Sequence, residues 1–241
     1  TYVMSLMNGA RIGIAAQSLG IGEAAHRVAR DYAHSRKQYG AAIENFPAVR
    51  ELLVKSQIDV QAARTLTYFS AFNVDLELGP MRKLEFGNVE DAELKKALKQ
   101  DARKYGRYNK LLTPMAKYYS SEMSMRVSNN AIAVLGGSGY MRDYASERHL
   151  RDSRITTIYE GTSQLQVVAA VAGVLSGTAE TVISEILDGR QWSDEVAPLI
   201  QQLRNGLDML NRTVEYVKNN GATSYRDLYA RQLVDMAVYL L

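Results

Sequence analysis

The chain has 241 residues, no cysteine, 46% hydrophobic and 23% charged residues, and a formal net charge of +3. This is the balance of an ordinary globular protein, long enough for one large or two modest domains with a real core. It argues against a nucleic-acid face, which needs clustered Lys and Arg, against a membrane span, since no apolar run is long enough, and against disulfide or thiolate chemistry; the absence of cysteine fits a cytoplasmic setting. His26, His34 and His149 lack metal-ligand spacing, so surface or capping roles are expected of them and no metal is.

Four prolines and long 3.6-residue patterns predict a nearly all-helical chain. It begins at Thr1 already inside a helical pattern, which reads as a fragment of something longer. From about Met4 to Ser35, Ile14, Ser18, Ile21, Ala25, Val28 and Tyr32 recur at spacings of four and three, one buried stripe on a long helix. Small residues in Asn8 to Gln17 let another backbone or a ligand come close, and Arg11 among them reads on its own as a surface cation. The pattern breaks at Ser35-Arg36-Lys37-Gln38-Tyr39-Gly40, where Gly40 is a natural helix stop and the basic residues complement a helix end.

Asn45-Phe46-Pro47 opens a second helix with Pro47 in its first turn and Val49, Leu53, Val60 and Ala63 turned inward. Val74 to Glu90, with Gly79-Pro80 and Phe86-Gly87-Asn88, reads as a connection. A third helix starts with a solvated, charge-rich face at Glu90 to Tyr108 and runs through Met115 and Met125 to Leu135. Gly136-Gly137 stops it and also permits close approach of a nucleotide to the backbone.

Arg148, Arg151 and Arg154, with Glu147 and Asp152, are expected to form an ion-pair network under the following turn. Glu160 stands just before Gly161 and Thr162, where an apolar helix (Leu165, Val168, Ala169, Ala172) begins; Thr162 or Ser163 can cap it, and Ser163 with Gln166 fits a capping box. On spacing alone, Glu160 is an acid complementing the helix dipole. After Leu175-Ser176-Gly177 come a short helix from Thr181 to Leu187, a turn-rich joint, and a helical hairpin. Its stripes are Ile200, Leu203, Leu207, Leu210, Val214 and Val217, then Tyr229, Leu233, Met236 and Leu240. Packing or oligomerisation is its expected task.

Gly136-Gly137-x-Gly139-Tyr140, Glu147-Arg148, Leu150-Arg151-Asp152-x-Arg154-Ile155 and Ile158-Tyr159-Glu160-Gly161-Thr162-x-Gln164, in that order and spacing, resemble the C-terminal signature of the acyl-CoA dehydrogenases. The resemblance implies an all-α fold, a four-helix up-and-down bundle over residues 1-176 followed by an additional helical hairpin region over 177-241. It makes Glu160 the catalytic base and puts Arg11 and Met7 on the substrate side. One branch of that family has its base immediately before the arginine; Ala10 stands there in this chain, which leaves the task to Glu160.

For the cofactor FAD, the resemblance implies that Arg36 reaches the pyrophosphate of the flavin in a neighbouring subunit, with Gln38 and Tyr39 in support. It places Gly136 and Gly137 against the nucleotide and Thr162 and Gln164 on its phosphates at a helix N-terminus. Pro47, Ala133, Val167 and Ala172 depart from polar or basic residues common in the family, and the long connection before the third helix resembles an extended bacterial branch. The implied partners are an acyl-CoA substrate, an electron-transfer flavoprotein and further copies of the chain as a dimer or tetramer. The implied reaction is α,β-dehydrogenation in fatty acid metabolism, with this piece alone expected to bind FAD weakly and turn over little. An acyl-CoA oxidase and a non-catalytic helical interaction module are the alternatives.

Overall fold

The computed structural model describes residues 2–221 and 223–241, the side chains of residues 2–8 and 223–225 being outside the description. Among the described residues the chain is all-α apart from one small hairpin. The helices are α1 (Tyr2–Ser35), α2 (Pro47–Phe86), α3 (Ala92–Leu135), α4 (Gly137–Tyr140), α5 (Ser146–Thr156), α6 (Ser163–Leu175), α7 (Thr178–Asp188), α8 (Ala197–Asn219) and α9 (Thr223–Leu240). None of them is by itself long and apolar enough to cross a membrane.

The chain divides into two compact units, one of Thr1–Phe69 and Ala116–Ser163, the other of Ser70–Met115 and Gln164–Leu241. In the first, α1 buries Ile14, Ala15, Ser18, Leu19, Ala25, Ala29 and Ala33, a face wider than the single stripe of spacing because small residues widen it. Gly22 on α1 leaves room for the Met123 side chain of α3, whose Sδ would lie 2.7 Å from a Cβ there. Ser120, Ser121, Ser124 and Ser128 on α3 are all buried, and polar links such as Thr67 to Ser120 at 3.1 Å satisfy part of that face.

In the second unit, Leu207, Leu210, Val214 and Val217 of α8 are buried as their spacing predicts, and α8 pairs with α9 as a helical hairpin. Gly206 leaves space for the Leu240 side chain of α9, whose Cδ2 would lie 2.7 Å from a Cβ there. Tyr108 donates to Glu185 at 2.8 Å, tying α3 to α7 within this unit.

Several local expectations change. Residues 74–86 belong to α2, which continues through Pro80. Proline removes one helical hydrogen bond and crowds the residue before it, but that residue is Gly79, whose missing Cβ relieves part of the clash. Gly40 is not a helix stop: α1 ends at Ser35, and Lys37–Gln38 (β1) pairs antiparallel with Ala41–Ala42 (β2) around Tyr39 and Gly40. Both turn residues have positive φ, 49° and 82°, as a tight hairpin turn of this hand requires.

His26 is buried at 5% exposure rather than on the surface, in the small-residue face of α1. On α6 the buried positions are Ser163, Gln166, Val167, Ala170 and Val174, while Leu165 and Val168 are more than half exposed. A helix whose few polar residues fall on the buried side, as Gln166 does, carries no periodic signal that points to its true face. On α9 the core is Ala230, Leu233, Val234, Ala237 and Val238, with Tyr229 at the margin, so the expected stripe is partly displaced. The arginine network reduces to Arg151 with Glu147 at 3.4 Å and Asp152 at 3.9 Å, on the surface of α5, while Arg154 donates to Thr157 Oγ1 at 2.9 Å. Exposed pairs of this kind contribute at most about 1 kcal/mol.

Candidate functional site

The segment between α5 and α6 is a turn held from several sides within the first unit. Its backbone closes on itself through the Ser163 N–H to the Thr157 carbonyl at 3.0 Å and the Tyr159 N–H to the Ile155 carbonyl at 3.1 Å. At its apex Glu160 has φ 53° and Gly161 φ 93°. Gly161 adopts this conformation freely, whereas for Glu160 it costs roughly 1–2 kcal/mol that other contacts must offset. Those contacts come from side chains. Lys117 Nζ donates to the Gly161 carbonyl at 2.8 Å, Ser163 Oγ donates to Glu122 at 2.5 Å, and the Tyr159 phenol donates to Gln17 Oε1 on α1.

Glu160 is itself exposed, and its charge is felt by three neighbours. Burial lowers the pKa of Arg11, an effect the Glu160 carboxylate opposes. Arg11 Nε is buried without a hydrogen-bond partner among the described residues, an unused donor on the helix beside the turn. Burial brings Lys117 down to about 8, against the pull of the Glu122 and Glu160 carboxylates and together with the push of Arg11. Tyr159 is raised by burial and by the Glu160 charge. An acid, two cations and an acid partner thus share one electrostatic neighbourhood. Met7, predicted on the substrate side, lies outside the residues whose side chains are described.

A second locus in the same unit is a cavity of about 470 Å³ whose lining includes Arg36, Gln38, Phe46, Ala133, Gly136 and Gly137. The hairpin after α1 carries Arg36 and Gln38 to it, and the end of α3 supplies the glycines. At both Gly136 and Gly137 an added Cβ would meet nothing within 4 Å, so the backbone there is open to a ligand. Tyr39, 89% exposed at the hairpin tip, has its ring 6.3 Å from that of Phe46. A forked cation, a carboxamide, aromatic rings and bare backbone are a donor set that suits a phosphate-bearing, aromatic cofactor such as FAD.

The predicted residues therefore fall into groups. Arg11 and Glu160 come together, and so do Arg36, Gln38, Gly136 and Gly137. Thr162 stands immediately before α6, and Gln164 in its first turn accepts a hydrogen bond from Arg231 of α9 at 3.1 Å through its side-chain carbonyl. A larger open cavity of about 940 Å³, lined by Arg126, Arg142, Arg151 and Arg154 among others, includes none of the predicted site residues. Two of its arginines are paired, Arg126 with Asp59 and Arg151 with Glu147. No group of three His, Cys, Asp or Glu arranged for a metal occurs among the described residues.

Sequence reasoning missed Lys117, Glu122 and Gln17. The first had a signal: a lysine set inside the apolar run Leu111, Leu112, Met115, Ala116, where a plain surface cation has no place.

The family model described as the acyl-CoA dehydrogenase C-terminal domain matches residues 1–85 and 92–175. An acyl-CoA dehydrogenase of Bacillus subtilis is 37% identical over 175 residues, covering 73% of this chain and 38% of that protein. A 3-(aryl)acrylate reductase of Clostridium sporogenes is 33% identical over 172 residues, covering 71% of this chain and 38% of that protein. The chain thus spans little more than a third of the length of the curated relatives it matches. The crystal structure of an acyl-CoA dehydrogenase complexed with FAD from Bacillus anthracis shares the fold, with a TM-score of 0.72 at 21% identity over 99% of this chain and 40% of that one.

Proposed function

This chain belongs to the acyl-CoA dehydrogenase family as its C-terminal domain, and from that premise we propose that it supplies the base and part of the flavin site for α,β-dehydrogenation of an acyl-CoA thioester. Glu160 takes the proton from the carbon next to the thioester carbonyl. The observation that carries this reading is the placement of Glu160 at the apex of a tethered left-handed turn, in the electrostatic field of Arg11. An unstrained surface acid needs no such arrangement.

When an apolar acyl chain displaces water from the turn, the carboxylate loses hydration and becomes a stronger base. The backbone N–H of Glu160 faces the developing enolate oxygen, by the family resemblance, and stabilises it. Arg11 and Met7 border the substrate. FAD, when bound, supplies the acceptor for the hydride from the β carbon. Arg36, Gln38, Tyr39, Gly136 and Gly137 hold its pyrophosphate and adenine end across a subunit boundary, while Thr162 and Gln164 contribute from the start of α6. Arg36 offers two parallel donors to phosphate oxygens, which a lysine cannot.

This reading brings a homo-oligomer and an electron-transfer flavoprotein as partners and the cytoplasm as the setting. Residues 1-176 form the family's bundle and residues 177-241 an additional packing or oligomerisation region. The likeness to the 3-(aryl)acrylate reductase of Clostridium sporogenes favours one second reading, the reductive direction, in which protonated Glu160 would return its proton to the same carbon while the hydride to the β carbon would come from reduced FAD, when bound.

The test is Glu160→Gln in the whole protein, assayed with an artificial electron acceptor and an acyl-CoA series. Loss of at least about a hundredfold in kcat with flavin retained is expected. Unchanged turnover removes Glu160 as the base.

A further inference from the structure

We infer that Lys117, by donating Nζ to the Gly161 carbonyl, is a positioning residue that holds Glu160 in its left-handed conformation; this rests on Glu160 being the base.

Lys117 is fully buried, at 0% exposure, on α3 in the first unit. Lysine is among the residues least often buried, because its charge loses hydration there, so a buried lysine needs a partner that repays that loss. The partner whose geometry the structure gives is not a carboxylate but a backbone carbonyl, that of Gly161, at 2.8 Å. That carbonyl belongs to the residue directly after Glu160, in a turn where both have positive φ. Fixing the carbonyl fixes the plane of the peptide between Gly161 and Thr162, and with it the rotation at Gly161 that sets where the Glu160 main chain and carboxylate stand.

A second tether comes from the same helix. Glu122, five residues on, accepts from Ser163 Oγ at the first residue of α6. The two ends of the segment that follows Glu160 are therefore both held by α3, one by a cation and one by an anion. The charges that face Lys117 are Glu122 on its own helix, Arg11 on α1 and Glu160 in the turn. Burial brings its pKa down to about 8, and the neutral amine still donates to a carbonyl, so the tether persists through its titration. Its hydrogen bond goes to the backbone of the turn, and it is through the turn that Lys117 acts. A misplacement of about 1 Å at a base costs on the order of a hundredfold in rate, which sets the size of the expected effect.

The experiment compares Lys117→Met, close in shape without a donor, and Lys117→Arg, which keeps a donor, in the whole protein loaded with FAD. In Lys117→Met kcat is expected to fall about ten- to a hundredfold with KM changed less than about threefold, and Lys117→Arg to recover part of the loss. Hydrogen exchange of the amides of residues 157–163 is expected to speed up in Lys117→Met and to stay near the parent rate in the arginine variant. Parental kcat and exchange in a folded Lys117→Met overturn the inference. So does failure of both variants to fold, since the lysine then supports the core rather than the turn. If Glu160→Gln keeps activity while Lys117→Met speeds exchange, the tether stands and the assignment of the base falls.

Discussion

Gly139 sits directly against Ile132: a Cβ on it would lie 2.9 Å from both the Ile132 Cα and the Ile132 carbonyl oxygen. The backbone has no flexible side chain to move aside there. The single turn of α4 folds back onto the end of α3 only because this residue is glycine, and that fold opens Gly136 and Gly137 to the neighbouring cavity.

Gly139→Ala is accordingly expected to destabilise the chain by about 1–3 kcal/mol, the usual cost of overpacking against a rigid neighbour. Equilibrium unfolding in urea measures this as a lower midpoint at unchanged slope. A midpoint equal to the parent's would mean that α4 can lift away from α3 without cost.

Arg36→Lys separates binding from stability. Arg36 is exposed and its guanidinium makes no ion pair among the described residues, so the substitution is expected to change unfolding free energy by less than about 0.5 kcal/mol. Flavin retention after gel filtration is expected to drop about tenfold in affinity, because one point charge replaces a two-pronged donor. Equal retention would move the phosphate away from Arg36.

The pH dependence of stability reports on Lys117. Its folded-state pKa of about 8 lies below the ordinary lysine value of 10.5, so between these limits the unfolded chain binds more protons than the folded one. Stability attributable to this group therefore rises with pH from about 8 towards 10.5, by up to about 1.4 kcal/mol per pH unit, as the burial penalty on the charged form is relieved. Burial also raises the pKa of Tyr108 and of Tyr159, so the comparison must be with Lys117→Met measured at each pH. The parent is expected to gain on the variant across this window. Parallel curves would mean that the amine titrates normally.

Much of this protein is written locally. The three-and-four spacing on α8 places Leu207, Leu210, Val214 and Val217 in the core, because a helix whose opposite face is polar has one way to turn. The ordered motif from Gly136 to Gln164 identifies the family and marks Glu160, since those residues serve one turn and one cavity rim that are nearly contiguous in the chain.

Other features depend on distance. Which side of α6 is buried and why His26 is interior are decided by what packs against each helix, and a mostly apolar or small-residue surface carries little periodic instruction of its own. Lys117 is the plainest case. It lies 44 residues before the carbonyl it holds, with nothing in the intervening chain to mark the pairing. Sequence alone determined that the chain is nearly all helical and that an acid stands just before α6. Only the tertiary structure decided what keeps that acid in place, because a hydrogen bond between distant segments exists once the packing of α3 brings donor and acceptor to 2.8 Å.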